Sequence, residues 1–339
     1  MNRRTWMMAA GGAALNAEAA QGLIHPRPLR DGDTVGLITP SAYVASPDLI
    51  ATAERTVKFF GWQPKFGRNV RAKDGYVGGT VEQRLADLHD MFRDPEVKGV
   101  FCIRGGFGAA HLLAGIDYDL IRRNPKIFLG YSDITALHLA IHRMTGLVTF
   151  HGPVVLSGFS QYTRGHFRRA MSEAKPLGLL ANPVESDALR PAHTVRTIRP
   201  GKARGQLVGG NLTLISTTIG SPYEIDTRGR ILFLEDVDEQ PYSIDRLLTH
   251  LKLAGKLDAA AGIVFGECSD CRPREFRPSF ESTFSLGEVV DRILGKLRVP
   301  VLSGLTIGHT SDQLTLPLGV MTTLDADRGT LTIEEAAAR

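Results

Sequence analysis

The sequence alternates short apolar runs with amphipathic segments, and this alternation constrains the fold more than any other feature. Apolar runs occur at Val35–Ile38, Gly99–Ile103 and Ile127–Leu129. Segments with helical spacing separate them, for example at Pro47–Phe60 and Val81–Phe92. Strands that alternate with helices are typical of a parallel sheet covered on both faces. We therefore expect an α/β fold whose ligands bind beyond the carboxyl ends of the strands.

The length and composition predict two domains. The chain has 339 residues, of which 43% are hydrophobic and 22% charged, as expected for a globular protein with substantial cores. The strand and helix pattern weakens in a stretch rich in proline and arginine and then resumes. We expect an export signal-like segment at 1–22, an N-terminal α/β domain at 23–156, a connection at 157–204, and a C-terminal mixed α/β domain at 205–339.

The first residues have the layout of an export signal. Arg3 and Arg4 precede a short apolar stretch, and Ala17-Glu18-Ala19 offers a small-residue cleavage site. This layout is typical of a twin-arginine leader, and the stretch is too short to span a membrane. A frayed helical N-terminus is the alternative. We expect a periplasmic location after export, with the cytoplasm as the alternative, and no stable membrane insertion.

The charge distribution argues against a nucleic-acid partner. The net charge is only +4, and basic and acidic residues are interspersed. The densest basic stretch, Arg164–Arg169, is short, and we interpret it as the solvated face of a helix.

Three cysteines are too few for a disulfide framework. Cys268 and Cys271 form one C-x-x-C pair, which fits half a zinc site, a redox pair or a local disulfide. No second ligand pair has the spacing for zinc, and Arg272-Pro273 follows where a redox motif would open a helix. Incidental thiols and a bridge formed after export are the interpretations that remain. Cys102 lies in an apolar run, and we expect it in the core.

A candidate nucleophile lies at a strand-to-helix junction. The apolar run at 127–129 continues through Gly-Tyr-Ser132-Asp133 into a helical pattern. A serine at such a turn projects from the sheet edge, and the next amide, at a helix N-terminus, can bind an oxyanion. Ser and Asp are also favoured N-caps, so capping is the alternative role. Ile134 stands where the α/β-hydrolase elbow has glycine, so that signature is absent.

A nucleophilic serine needs a base and an acid, and two other strand ends supply them. An apolar run at 301–307 leads to His309, and another at 231–234 leads to Glu235. Each alone fits a turn histidine or a strand terminator. Three unrelated strands that end in Ser, Glu and His together favour a catalytic triad of Ser132, Glu235 and His309.

Other histidines compete with His309. His138 and His142 are four residues apart on the predicted helix after Ser132, a spacing used by metal ligands, but no H-E-x-x-H motif accompanies them. His151 follows an apolar run at 147–150, and we expect it to line the site.

A glycine-rich turn at 104–108 lies on the same predicted rim as Ser132. It lacks both the G-x-G-x-x-G spacing and the P-loop lysine, which argues against a phosphate cradle. Free N–H groups in such a turn can stabilise an oxyanion, and we expect a two-donor hole from the amides of Gly106 and Asp133. Glycine there also admits a substrate backbone without a Cβ clash.

Six short motifs follow one another along the chain: Ile103-Arg-Gly-Gly-Phe-Gly108, Gly130-Tyr-Ser-Asp-Ile-Thr135, Phe150-His-Gly-Pro153, Gly209-Gly-Asn-Leu212, Leu234-Glu-Asp-Val237 and Gly308-His309. In this order, over residues 28–335, the chain resembles the LD-carboxypeptidases, serine peptidases of murein tetrapeptide recycling. The resemblance implies a flavodoxin-like or class I amidotransferase-like N-terminal domain, a swivelling C-terminal domain and a homodimer. It implies no cofactor and no metal.

The same resemblance implies roles for individual residues. Ser132 would be the nucleophile, Glu235 and His309 would complete the triad, and Gly106 with Asp133 would form the oxyanion hole. The implied reaction removes the terminal D-alanine from L-Ala-D-Glu-diamino acid-D-Ala. The predicted substrate-binding residues are Arg104, which can meet a carboxylate, Gly105, Phe107 and His151.

Three alternatives differ in substrate or in class. Self-immunity peptidases of the same family cleave peptidyl or aminoacyl nucleotide antibiotics and would need an aromatic platform for a base. A non-catalytic protein would use the cleft between domains to capture peptides. A metal-dependent amidase would use His138, His142 and Glu235.

Overall fold

The computed structural model describes residues 22–184, 189–274 and 280–339. In chain order, the elements up to residue 151 are β1 (Thr34–Ile38), α1 (Pro47–Phe59), β2 (Gln63–Phe66), α2 (Val81–Arg93), β3 (Val97–Cys102), α3 (Tyr118–Arg123), β4 (Ile127–Gly130), α4 (Thr135–Thr145) and β5 (Phe150–His151). Short 3₁₀ helices occupy Ala109–Gly115 and Ser132–Ile134.

The elements after residue 151 are α5 (Gln161–Ser172), β6 (Pro176–Leu180), β7 (Arg196–Arg199), β8 (Lys202–Asn211), α6 (Leu212–Thr218), β9 (Ile231–Val237), α7 (Pro241–Leu253), α8 (Lys256–Ala259), β10 (Gly262–Ser269), α9 (Leu286–Ile293), β11 (Val301–Ser303), β12 (Leu316–Pro317), β13 (Met321–Asp325) and β14 (Thr330–Ala336). A further 3₁₀ turn, Leu294–Lys296, follows α9.

Local signals set the starts of the helices. Ser46 accepts a hydrogen bond from the Leu49 amide at the start of α1, where Pro47 takes the first position. α2 opens with a capping box formed by Thr80 and Gln83. Both devices satisfy amides that have no partner within the helix.

Two sheets organise the molecule, and the predicted α/β fold is confirmed. The first has the strand order β12-β5-β4-β3-β1-β2, in which β1 to β5 are parallel and β12 is antiparallel to β5. The second has the order β6-β14-β13-β8-β9-β10-β11-β7, with β8 to β11 parallel and the outer strands antiparallel. Together with helices α6 to α9, it makes up the mixed α/β arrangement expected of the C-terminal half.

The stretch 157–204, predicted as a connection between domains, contains α5, β6 and β7. β6 and β7 are the two edge strands of the eight-stranded sheet, and several of their residues are exposed. Edge strands bury little on their outer side, which explains why the hydrophobic pattern of this stretch is weak.

The leader predicted at 1–22 falls, except for Gly22, outside the described residues, and its export function stays a prediction. In the part of the chain that the structure describes, no helix has both the length and the apolar character needed to cross a membrane.

Candidate functional site

The candidate nucleophile occupies a strained turn. β4 ends at Gly130, and Ser132 has φ = 63°, in the left-handed region that few non-glycine residues adopt. A Cβ on Gly130 would lie 2.7 Å from Ile134 Cγ2, so glycine is needed for the turn to close. No side-chain capping hydrogen bond is present at the 3₁₀ turn or at the start of α4. The capping alternative for Ser132 is therefore wrong, and the strained serine is the arrangement seen at nucleophile turns.

His309 and Glu235 form a hydrogen-bonded pair. His309 Nδ1 lies 2.8 Å from Glu235 Oε2, and the glutamate side chain is fully buried while 18% of the imidazole is exposed. Burial raises the pKa of Glu235, and the hydrogen bond and charge of His309 oppose that rise. A carboxylate on Nδ1 fixes the tautomer and leaves Nε2 free to accept a proton.

The local backbone lets this pair form, and it differs from the predicted strand ends. Glu235 lies inside β9, which continues to Val237, and β11 ends at Ser303, so His309 lies on a loop. Gly308 has φ = 90°, and a Cβ there would lie only 2.0 Å from Glu235 Oε2. Glycine before His309 is thus required for the carboxylate to reach the imidazole.

Side chains outside the motifs hold the His309 loop. Ser269 Oγ donates to the carbonyl of His309, and Gln313 Nε2 donates to the carbonyl of Gly308. Sequence reasoning missed both. Ser269 lies between Cys268 and Cys271, which are joined by a disulfide, so the local bridge is the alternative that the structure contains.

The structure brings the turn that carries Ser132 against the Glu235–His309 pair. The ring of Tyr131, the residue before Ser132, lies 4.7 Å from the His309 ring, centroid to centroid. Within the described ranges, no hydrogen bond joins Ser132 Oγ to His309. Such bonds are commonly long in unliganded enzymes and shorten with substrate.

The glycine turn lies beside the candidate nucleophile. A Cβ on Gly105 would be 3.3 Å from Ser132 Oγ, and Gly106 has φ = 121°, where a Cβ would lie 2.5 Å from the Ala42 Cβ. In the part of the chain that is described, the Gly106 amide donates to no backbone oxygen. It is available to an oxyanion, as is expected of a donor in such a hole.

The predicted substrate-binding residues divide into two groups. Arg104 is half-buried and donates to the carbonyl of Tyr43 at 3.3 Å. Gly105 is also half-buried, and Phe107 is 54% exposed, so these three residues are accessible from solvent. His151 is only 1% exposed and packs against Phe233, 5.1 Å between ring centroids. Its ring also lies 6.2 Å from that of Tyr131, centroid to centroid, so His151 is buried behind the Ser132 turn. Its role in substrate binding stays a prediction.

The two histidines with metal-ligand spacing form hydrogen bonds to backbone carbonyls instead. His138 Nε2 lies 2.9 Å from the carbonyl of Gly130, and burial lowers its pKa to about 4. His142 Nδ1 lies 3.1 Å from the carbonyl of Leu147. Among the described residues, no group of three or more His, Cys, Asp or Glu side chains is placed to hold a metal ion. Neither histidine supports the metal-dependent amidase alternative.

Comparison with known proteins identifies the class that this fold and site define. The LD-carboxypeptidase N-terminal domain matches residues 35–152, and the LD-carboxypeptidase C-terminal domain matches residues 204–324. The chain belongs to the LD-carboxypeptidase family, and it is a peptidase.

Individual relatives extend the similarity over almost the whole chain. The probable murein peptide carboxypeptidase of Bacillus subtilis is 43% identical over 314 residues, which cover 91% of this chain and 94% of that protein. The murein tetrapeptide carboxypeptidase of Pseudomonas aeruginosa is 35% identical over 301 residues, 87% of this chain and 94% of that protein. The wild-type apo structure of the microcin C7 self-immunity protein MccF, known from Escherichia coli, has a TM-score of 0.81 and 29% identity, and the match covers 93% of this chain and 100% of that chain.

Proposed function

We propose that this protein is a serine-type LD-carboxypeptidase that removes the terminal D-alanine from murein tetrapeptide. The observation that carries the proposal is the Glu235–His309 pair, joined at 2.8 Å, beside the strained Ser132 turn. The relatives named for murein peptides support the substrate class. A homodimer and a periplasmic location belong to the same proposal.

The geometry supports an acyl-enzyme mechanism. Ser132 Oγ attacks the carbonyl carbon of the diamino acid, and its proton passes to His309 Nε2. The carbonyl oxygen becomes an oxyanion and accepts hydrogen bonds from the amides of Gly106 and Asp133. The C–N bond then breaks as His309 returns the proton to the leaving amine of D-alanine.

Water completes the cycle by the reverse sequence of proton transfers. His309 takes a proton from water, the hydroxyl adds to the ester carbon, and the tripeptide leaves as Ser132 regains its proton. Glu235 stays ionised and balances the imidazolium in both steps. Arg104 binds the carboxylate of the terminal D-alanine.

Mass spectrometry of the tetrapeptide L-Ala-D-Glu-diamino acid-D-Ala tests this function. Wild-type protein should release one alanine and leave the tripeptide, whereas Ser132→Ala should release none while still binding the tetrapeptide. Ser216→Ala is a matched control, because Ser216 is buried on α6 and its hydroxyl has no partner in the described part of the chain. Tetrapeptide binding without alanine release by wild-type protein would instead favour the non-catalytic alternative.

A second candidate, cleavage of aminoacyl nucleotides, is favoured by one surface feature. Phe107 and Tyr76 are 54% and 64% exposed, and their rings meet edge to face at 5.4 Å beside the glycine turn. Exposed aromatic rings provide a stacking surface for a nucleobase. Release of the amino acid from an aminoacyl sulfamoyl adenosine, with the tetrapeptide left intact, would select this function over the first.

A further inference from the structure

The side chain of Asp133 has a role separate from that of its backbone amide. Asp133 is 2% exposed, and one carboxylate oxygen, Oδ2, accepts two hydrogen bonds. One comes from Ser41 Oγ, which is fully buried, and the other from the Ala109 amide at 2.8 Å. Ser41 follows β1, Ala109 follows β3 and Asp133 follows β4, so one oxygen joins the ends of three neighbouring strands.

A buried arginine binds the segments that carry Ser41 and Ala109 through their carbonyl groups. Arg84 of α2 is 3% exposed, and its Nη1 donates to the carbonyls of Pro40 at 2.9 Å and Gly108 at 2.8 Å. Those carbonyls belong to the peptide bonds that precede Ser41 and Ala109. At both places the Asp133 carboxylate accepts a hydrogen bond from the chain and the Arg84 guanidinium donates one to the preceding carbonyl. Hydrogen bonds of this kind are charge-assisted and stronger than those between neutral groups.

The hydrogen bonds of Asp133 and Arg84 lie next to both donors of the proposed oxyanion hole. Ala109 is three residues after Gly106, and Ala42, which follows Ser41, supports Gly106 so closely that a Cβ on Gly106 would lie 2.5 Å from the Ala42 Cβ. The Ala42 amide also donates to the carbonyl of Gly105 at 3.4 Å. The Gly106 amide is thus located by residues that the Asp133 carboxylate holds.

We propose that the Asp133 carboxylate and the Ser41 hydroxyl are positioning groups that set the separation of the Gly106 and Asp133 amides. The inference rests on the proposed function, because it concerns the oxyanion hole of that reaction. Two donors stabilise one oxyanion only when both point at the same position about 3 Å away. Asp133 therefore serves the hole twice, by its own N–H and by fixing the other donor.

A positioning role and a purely structural role predict different kinetics. The oxyanion is absent from the bound substrate and develops only as the reaction proceeds, so a misplaced donor lowers kcat and leaves KM nearly unchanged. A purely structural hydrogen bond would lower the stability of the fold and leave the turnover of folded enzyme unaffected.

The central variant is Ser41→Ala, which removes one bond to Asp133 without adding volume. We expect kcat for the tetrapeptide to fall by about tenfold, with KM within about twofold of wild type. Asp133→Asn is the second variant. Its side-chain oxygen can accept from both donors without the charge, so its fall in kcat should be smaller than that of Ser41→Ala. Ser216→Ala, the buried serine without a partner, should behave as wild type.

Labelling of Ser132 by a fluorophosphonate gives a readout that does not depend on the peptide. The Oγ–P bond forms as the P–F bond breaks and fluoride leaves, the serine proton goes to His309, and the phosphoryl oxygen occupies the oxyanion hole. Ser41→Ala should be labelled about tenfold more slowly than wild type and Ser216→Ala.

The two proposals fail in distinguishable ways. Wild-type rates of labelling and turnover in folded Ser41→Ala, with only its stability reduced, would overturn the positioning role. An intact tetrapeptide after incubation with wild-type protein would overturn the proposed substrate, while slow labelling of Ser41→Ala would still support the positioning role.

Discussion

Two residues of the candidate site are held in conformations or surroundings that cost free energy. The left-handed backbone of Ser132 costs about 1–3 kcal/mol for a residue with a side chain. Glu235 is fully buried, and its raised pKa shows that the ionised form is disfavoured there. Such costs concentrate at functional sites, where packing elsewhere in the fold offsets them.

Glu235→Gln separates the effect of this residue on the stability of the protein from its proposed role in catalysis. The folded-state pKa of Glu235 lies above the ordinary value of 4.5 because of burial. The contribution of this side chain to the free energy of unfolding is therefore favourable below pH 4.5 and is lost as the pH rises through the folded-state pKa. Glutamine cannot ionise. The free energy of unfolding of Glu235→Gln relative to wild type should therefore rise with pH above 4.5, as measured by urea denaturation.

The same variant should lose activity, because a neutral partner no longer balances the imidazolium. The expected loss in kcat is on the order of 10³–10⁴-fold, by comparison with other triads. A stability difference that stays flat from acid to neutral pH would contradict the assigned cost of burying this carboxylate.

At the scale of elements, the loop between β11 and β12 is held by side chains from several directions. Ser160 Oγ donates to Asp312, and the Gln313 amide donates to Thr163 Oγ1 at 2.8 Å, which ties the loop to α5. His193 bridges to Glu267 at 2.7 Å and to Asp312 at 3.2 Å. The segment that carries His309 is thereby fixed although it is not part of a strand.

His193→Gln tests this anchoring through its pH dependence. Burial lowers the pKa of His193, but the carboxylates of Glu267 and Asp312 outweigh burial and raise it above 6.5. A raised pKa means that the stabilisation is fully present below pH 6.5 and is lost as the pH rises through the folded-state pKa of His193. The free energy of unfolding of wild type relative to His193→Gln should therefore be largest in mild acid and shrink in alkali.

Chemical denaturation of both proteins at about pH 5.5 and about pH 8.5 provides the measurement. An equal difference at the two pH values would show that the charge of His193 does not contribute to the anchoring.

At the scale of the whole molecule, the two halves share one core. The chain returns from the eight-stranded sheet to place β12 beside β5 of the six-stranded sheet. One hydrophobic cluster contains Phe101 and Phe150 of the first sheet together with Leu302 of the second. Ser132 and the Glu235–His309 pair come from different halves, so this shared core keeps the two parts of the site together.

A fragment of residues 22–156 should therefore not fold as an independent unit. It lacks β12, and it lacks α5, whose Phe167 packs 6.0 Å from both the Trp62 and the Phe101 rings. Exposure of this apolar surface should abolish cooperative unfolding in urea, whereas the full chain should unfold in one main transition. A fragment that unfolds cooperatively at the midpoint of the full chain would contradict the shared core.

The sequence alone was sufficient for the features that depend on neighbouring residues. The apolar runs predicted β1, β3 and β4, and the strand-to-helix junction predicted the turn at Ser132, because side-chain periodicity and turn residues act over a few positions. The pairing of Glu235 with His309 was also anticipated, although not by the expected route, since Glu235 lies inside β9 and His309 lies on a loop after β11. Their roles in catalysis stay predictions.

The tertiary structure decided everything that depends on which distant segments meet. Nothing local indicates that β12 crosses to the first sheet, that His151 is buried, or that the Asp133 carboxylate joins Ser41 to Ala109. These contacts form between residues far apart in the chain, and their free energy depends on the whole packed arrangement. A local pattern specifies which face of an element is apolar, but only the complete fold specifies what that face meets.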